Sequence, residues 1–412
     1  MLLRRSAVVG GMLGVVALAG GCLSDEGRAR NFDGPWVRHT IDDGQRGADG
    51  VRVADVNGDG LPDVTTGWEQ AGITRVYLHP GHDAVREPWP AATVAQTPNV
   101  EDAVWADLDG DGNMDVVSSC EGTTRSIFFS FAPADASEFL NPDAWESAVV
   151  PVTVGQRWMY ALPMDVDGRG GIDIVVGGKR EGAVVGWLES PPNPRDLSAW
   201  KLHPMSPAGW IMSLDAFDMN GDGALDVLVS DRSSSPVDGV RWLERPADPS
   251  LLDGPWTNHF IGARKRSPVF IAPVPGEGGR PRAVIVPSGG QRLTLFERED
   301  ESGDLWSERH IPYPKRLGTP KSAAVGDIDL DGDLDVVLAC TNLSGHEEGI
   351  VWLSRAADPL DEDPLKFSLS GAQGEKFDRM ELLDLDGDGD LDVMTTEEIQ
   401  ELGLVWYENP LQ

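Results

Sequence analysis

The sequence predicts an all-β fold: a seven-bladed β-propeller closed by its N-terminal strand pairing into the last blade. Three observations carry this. An acidic decapeptide recurs along the chain, aromatic strand positions recur with it, and the last copy ends one strand short of the others.

The decapeptide reads DVNGDGLPDV from Asp55, DLDGDGNMDV from Asp107, DVDGRGGIDI from Asp165, DMNGDGALDV from Asp218, DIDLDGDLDV from Asp327 and DLDGDGDLDV from Asp384. The steps between starts are 52, 58, 53, 109 and 57 residues. The long step covers two ordinary ones, and the fragment Pro275-Gly276-Glu277-Gly278 within it is a worn NGDG. Seven near-regular repeats indicate a repeat architecture, which also frees 412 residues from needing one oversized core.

One repeat supplies four strands. In the fourth copy apolar residues flank the Asp loop on both sides, so the loop joins two short strands. The Val227-Leu228-Val229 run belongs to the second of these. Gly239 to Leu243 and Trp256 to Ile261 give two more, with Gly and Pro clusters at the joins. The third strand is aromatic in every copy: Tyr77, Phe129, Trp187, Trp242, Phe296, Trp352 and Trp406. The fourth opens on Trp36, Trp89, Trp145, Trp200, Trp256 or Trp306. These rings are expected to pack between blades. The last copy stops at GLVWYENP with no fourth strand, and Trp36 to Ile41 matches the missing type. Pairing the two closes the ring and removes free sheet edges.

The repeat DxDGDGxxDVV followed by GxVxWYENP resembles the FG-GAP/VCBS family, found in integrin α-subunit propellers and many bacterial surface proteins. The likeness covers about residues 36–412. It implies that the Asp loops join the first two strands of a blade and hold calcium. It also implies that they lie opposite the usual ligand-binding face.

The loops support the same chemistry residue by residue. Alternate residues of a tight loop can converge on one hard cation through positions 1, 3, 5 and 9, with a backbone carbonyl at 7. The ligand sets are Asp55, Asn57, Asp59, Asp63; Asp107, Asp109, Asp111, Asp115; Asp218, Asn220, Asp222, Asp226; Asp327, Asp329, Asp331, Asp335; and Asp384, Asp386, Asp388, Asp392. Asp390, at position 7, is expected to turn its carboxylate outward. The third copy keeps Asp165, Asp167 and Asp173 but has Arg169 at position 5, whose guanidinium can replace the ion and bridge the carboxylates. The fifth copy should be empty. About five structural Ca²⁺ sites are therefore expected, each turning binding energy into folding energy.

Sixty-eight acidic residues against 34 basic ones give a net charge of −34, which leaves no extended basic face for nucleic acid. Residues 1–21 read as a lipoprotein signal: Arg4-Arg5, a short apolar run, then LAGGC ending at a lipidated Cys22. Residues 22–35 then form a tether, and residues 36–412 the propeller. The expected product is an exported, membrane-anchored monomer, periplasmic or at the cell surface. Cys120 and Cys340 sit on non-neighbouring repeats and read as buried free thiols.

With metals on one face, a ligand belongs on the other. The position six before each loop gives Asp49, Glu101, Met159, Met212, Lys321 and Asp378; six after gives Glu69, Glu121, Lys179, Arg232, Thr341 and Glu398. An acidic arc over blades seven, one and two should face a basic arc that includes Arg266, with Trp68, Trp158, Tyr160 and Trp210 nearby. Charged groups and aromatics around a concavity suit polysaccharide or protein. The favoured reading is a non-enzymatic binding module. The alternative is a carbohydrate-active enzyme of lyase or dehydratase type, with Asp102, Arg157, Tyr160, Arg266 or Lys321 as acid, base or charge stabiliser. His39, His203, His259 and His310 occupy outer strands of different blades and read as structural.

Overall fold

The computed structural model describes residues 34–232, 236–354 and 365–411. Its strands form seven four-stranded antiparallel sheets, one per repeat. The signal segment, Cys22 and most of the tether lie outside the described residues. Among those described, no helix is long and apolar enough to cross a membrane.

Each blade is a meander of consecutive strands. Blade two, for example, runs Val100–Ala106, Asp115–Cys120, Ser126–Phe131 and Glu146–Val149. Blade seven is the exception that closes the ring. Its strands Phe377–Leu383, Asp392–Glu397 and Gly403–Glu408 are completed by Val37–Asp42 from the other end of the chain. The pairing is antiparallel, with His39 opposite Trp406 and Val37 opposite Glu408.

The aromatic repeat builds the cores between blades. Tyr77 and Trp406 share one apolar cluster across blades one and seven. Trp242 and Phe296 share another across blades four and five. Phe129 packs with Trp158 and Trp200 of blade three. All seven third-strand rings are essentially unexposed. Cutting between any two blades would therefore expose large aromatic surface, and the ring gains stability by closing.

The outer strands show why the histidines recur. His39, His203 and His259 stand opposite Trp406, Trp187 and Trp242, with ring centroids 4.5, 4.7 and 4.0 Å apart. Each Nε2 lies within 2.6 to 2.9 Å of a carboxylate, from Glu408, Glu189 and Glu244 respectively. Phe367 fills the same place on Trp352. For these three the contacts are those of the expected structural role. Cys120 and Cys340 are likewise free and buried.

The first, innermost strands carry a feature that positions the channel. Six of them have a register shift near their start, as between Asp49 and Arg52, Val100 and Asp102, or Trp158 and Tyr160. A bulge breaks the alternation of faces along a strand. Consecutive residues can then line one space, as Glu101–Asp102, Met159–Tyr160 and Asp378–Arg379 do.

Candidate functional site

The Asp loops and the charged mouth lie at opposite ends of the same two strands. In blade one, Ala48–Ala54 leads from the mouth to the loop and Asp63–Trp68 leads back. Seven extended residues separate the ends by roughly 20 Å.

Within each loop the first Asp organises the turn. Asp55 Oδ1 accepts the N–H groups of Gly58 (2.8 Å) and Asp59 (3.1 Å), and its Oδ2 accepts that of Gly60 (3.0 Å). The glycines allow the left-handed backbone this needs, as at Gly112 (φ 93°). The ninth residue is a buried staple. Asp115 accepts N–H from Leu108 (2.9 Å) in the loop and from Ala132 (2.7 Å) beyond the third strand. Asp63, Asp173, Asp226 and Asp392 repeat the pattern. Burial pushes the carboxyls of Asp115, Asp173 and Asp392 up to about 7, and those of Asp63 and Asp226 to about 6. Each oxygen keeps a second lone pair free to face a cation.

Several loops gather oxygens closely enough for one ion. Asp107, Asp109 and Asp115 each offer one within 4.8 Å of the others, as do Asp165, Asp167 and Asp173, and Asp327, Asp329 and Asp335. Asp107 Oδ1 is buried with no hydrogen-bond partner among the described residues. Asp390 departs from expectation. Its carboxylate is not turned outward; the residue is 3 % exposed and neither oxygen has a hydrogen-bond partner among the described residues. Burial, then Asp388 and Asp392, push it up to about 8. Part of the repulsion in these loops is met by neighbouring arginines. Arg195 reaches Asp109 (2.6 Å) and Arg86 pairs with Asp386. Arg169 pairs with Asp167 alone and stays largely exposed, so it does not bridge the loop's carboxylates as the sequence suggested.

At the other end, Asp49, Glu101, Met159, Met212, Lys321 and Asp378 line one space together with Gly50, Asp102, Tyr160, Ile211, Phe270 and Arg379. The enclosed part is about 20 Å³, room for one water; counted out to open solvent it is about 350 Å³. The acidic arc is built as expected. Glu69 lies within 4.8 Å of Asp49 and Glu398 on one side and of Glu101 and Glu121 on the other. Three lysines enter it. Lys179 Nζ bridges Glu101 (3.0 Å) and Glu121 (2.9 Å), Lys321 pairs with Asp378 (3.2 Å), and Lys376 pairs with Glu398. Burial, then Asp378 and Glu101, hold the Asp49 carboxyl well above the usual range. Burial would raise Asp378 too, but Lys321 and Lys376 hold it below.

Below this rim a second layer plugs the channel. Arg52 forms a two-pronged pair with Asp102 (2.9 and 3.0 Å) and lies over the Tyr160 ring at 4.3 Å. Arg379 donates to the Tyr160 hydroxyl and pairs with Glu381 (3.0 Å). Sequence reasoning missed Arg52, Arg379 and Glu381. Arg52 and Glu381 stand three residues before the first loop Asp, and Arg379 five before; strict alternation from the six-before position skips them, and the bulges at Asp49/Arg52 and Phe377/Met380 bring them into the channel.

Three expected mouth residues lie elsewhere. Trp158 is fully buried in the core between blades two and three, its indole N–H bound to the Thr153 carbonyl. Arg266 pairs with Glu308 on the outermost strand of blade five. Trp68 is also fully buried. Trp210 remains at the rim, with Lys179, Arg180 and Arg232 at 4.5, 5.0 and 4.6 Å from its ring centroid.

A family model described as FG-GAP-like repeat matches residues 55–118 and 165–229, so the chain carries FG-GAP-like repeats. None of the curated proteins matches the chain in sequence. Among solved structures, BBS1N in complex with ARL6DN is similar in two forms. The mercury-soaked form has a TM-score of 0.51 at 10 % identity, covering 91 % of this chain and 97 % of that one. The lead-soaked form has 0.51 at 11 %, covering 92 % and 99 %. At such identities the likeness is one of fold.

Proposed function

We propose that this FG-GAP-repeat propeller is an exported, lipid-anchored interaction module. Calcium stabilises it through the Asp loops, and a polysaccharide or protein binds at the opposite mouth. The observation that carries the reading is the division of labour along the first strands: oxygen-only loops at one end, a ring of both charge signs at the other. The buried Asp390 and Asp107 oxygens fit a cation, because each lacks a partner that a bound ion would provide. The residues that would hold it are those of the five full loops. That BBS1N, a fold relative, is found in complex with ARL6DN supports a protein partner here.

The enzymatic alternative draws on Tyr160, Arg379, Asp102 and Arg52, which converge as a catalytic group would. Two things weigh against it. These groups are already paired to one another, and the enclosed space between them holds a single water rather than a sugar ring.

The test uses residues 23–412, purified after chelation. Calcium titration by calorimetry should give about five ions per chain and a melting temperature well above the chelated form. No uptake and an unchanged melt would sink the calcium reading and leave the mouth to be judged separately.

A further inference from the structure

Resting on the reading of the mouth as a binding face, the geometry points to a carboxylate-binding subsite made by Arg180, Trp210 and Arg232, which receives an acidic side chain of a protein partner.

The three residues are locked together through their backbones. Arg180 N–H donates to the Gly209 carbonyl (2.7 Å), and Arg232 N–H donates to the Trp210 carbonyl (2.9 Å). Asp231 accepts the N–H groups of both Gly209 (2.9 Å) and Trp210 (2.8 Å). Arg180 also holds a left-handed backbone (φ 70°), a conformation that a non-glycine residue adopts at a cost and that the surrounding bonds enforce. The backbone that carries the three side chains is thus fixed before any ligand arrives, which lowers part of the ordering cost of binding.

What it presents is two guanidiniums with no carboxylate partner among the described residues. Two guanidiniums flank one indole, within about 10 Å of each other. No ion pair joins either to a carboxylate among the described residues, unlike neighbouring Lys179, which is held by Glu101 and Glu121. The Trp210 indole N–H is buried with no acceptor among the described residues, so it can report on the site without itself touching a ligand. In a chain with twice as many acids as bases, two arginines on one ring have no ion pair among the described residues, Arg232 feeling the charges of Asp378 and Glu101 only at longer range. A planar carboxylate matches the guanidinium fork and satisfies such a donor set.

The acidic arc beside it selects the ligand. Glu101 and Glu121 are bound to Lys179, which itself lies against Trp210. A polyanion, such as a polyuronate chain, would carry its next charges into Glu69, Glu101 and Glu121. A peptide segment with an acidic residue and a basic neighbour places both charges favourably.

The test is NMR on the calcium-loaded protein, following the indole N–H signal assigned to Trp210 by its loss in Trp210→Phe. Two probes are titrated: a blocked peptide containing Glu-Gly-Lys, and an oligogalacturonate. We expect the peptide to shift the signal saturably and to bind at least tenfold more tightly than the sugar. Arg180→Ala should weaken peptide binding about tenfold, and because Arg180 is exposed this variant leaves the fold intact. Tighter binding of the oligogalacturonate, or peptide binding unaffected by Arg180→Ala and Arg232→Lys, overturns the proposal. No response to either probe also overturns it, while calcium-dependent stability would still stand as evidence for the module.

Discussion

Blades two and five each form a four-stranded sheet, yet only one keeps its Asp loop. In blade two, Asp115 is 1 % exposed and joins the loop to the end of the third strand. In blade five the corresponding turn is a short 3-10 helix, Glu277–Gly279, flanked by a proline pair, Pro275 opposite Pro281. Its first strand shrinks to Ala272–Pro275, but the sheet still forms with all four strands. Blade five borrows instead from its surroundings. Ile285 and Leu295 pack with Val336 and Leu338 of blade six, and Arg298 donates to the Met219 carbonyl of blade four (2.9 Å). The lesson is that packing between blades makes a blade, and the Asp loop adds a stabiliser that one blade can lose.

The comparison can be broken most directly at its staple. Asp115→Ala strands two buried N–H groups, and should cost about 3 kcal/mol in chelated protein by denaturant unfolding. A loss below about 0.5 kcal/mol would mean the blade-two loop is as dispensable as that of blade five. The next effect is on pH. The ninth-position Asp carboxyls sit near 6 to 7 in the fold, against about 4 when unfolded. Between these values the folded chain binds more protons, so these groups make the cation-free protein gain stability as pH falls from about 8 toward 5. With saturating calcium the trend should reverse, because protons then compete with the ion. Thermal melts in chelator and in calcium at both pH values decide it; a cation-free melt that falls on acidification contradicts the buried-staple account. Arg169→Asp should sharpen the comparison by restoring the third loop, adding about one calcium per chain by calorimetry. A count of about six already in the wild type, unchanged by the substitution, would mean Asp165, Asp167 and Asp173 hold an ion as they stand; a count that stays at about five would mean the loop binds none even when restored. The smallest effect is Glu277→Ala in blade five, expected within about 0.5 kcal/mol of wild type by the same unfolding measurement.

Much was legible before the structure. The DxDGDG period counts the blades, the third-strand aromatics mark the cores between them, and the unmatched Trp36–Ile41 strand foretells the closure. The channel was only partly legible. The six-before position found Asp49, Glu101, Lys321 and Asp378, but Trp158 turned into the core and Arg266 toward Glu308. A strand's alternation assigns faces, and the bulges near Asp102 and Tyr160 reset that alternation without a sequence mark.

The sequence by itself determined the repeat, the strands, the ring and its closure, because these rest on local periodicity and on turn residues that carry their own conformation. Only the tertiary structure decided which charges meet. Lys179 binding Glu101 and Glu121, and Arg379 donating to Tyr160, depend on distances between blades, and no local pattern encodes those distances.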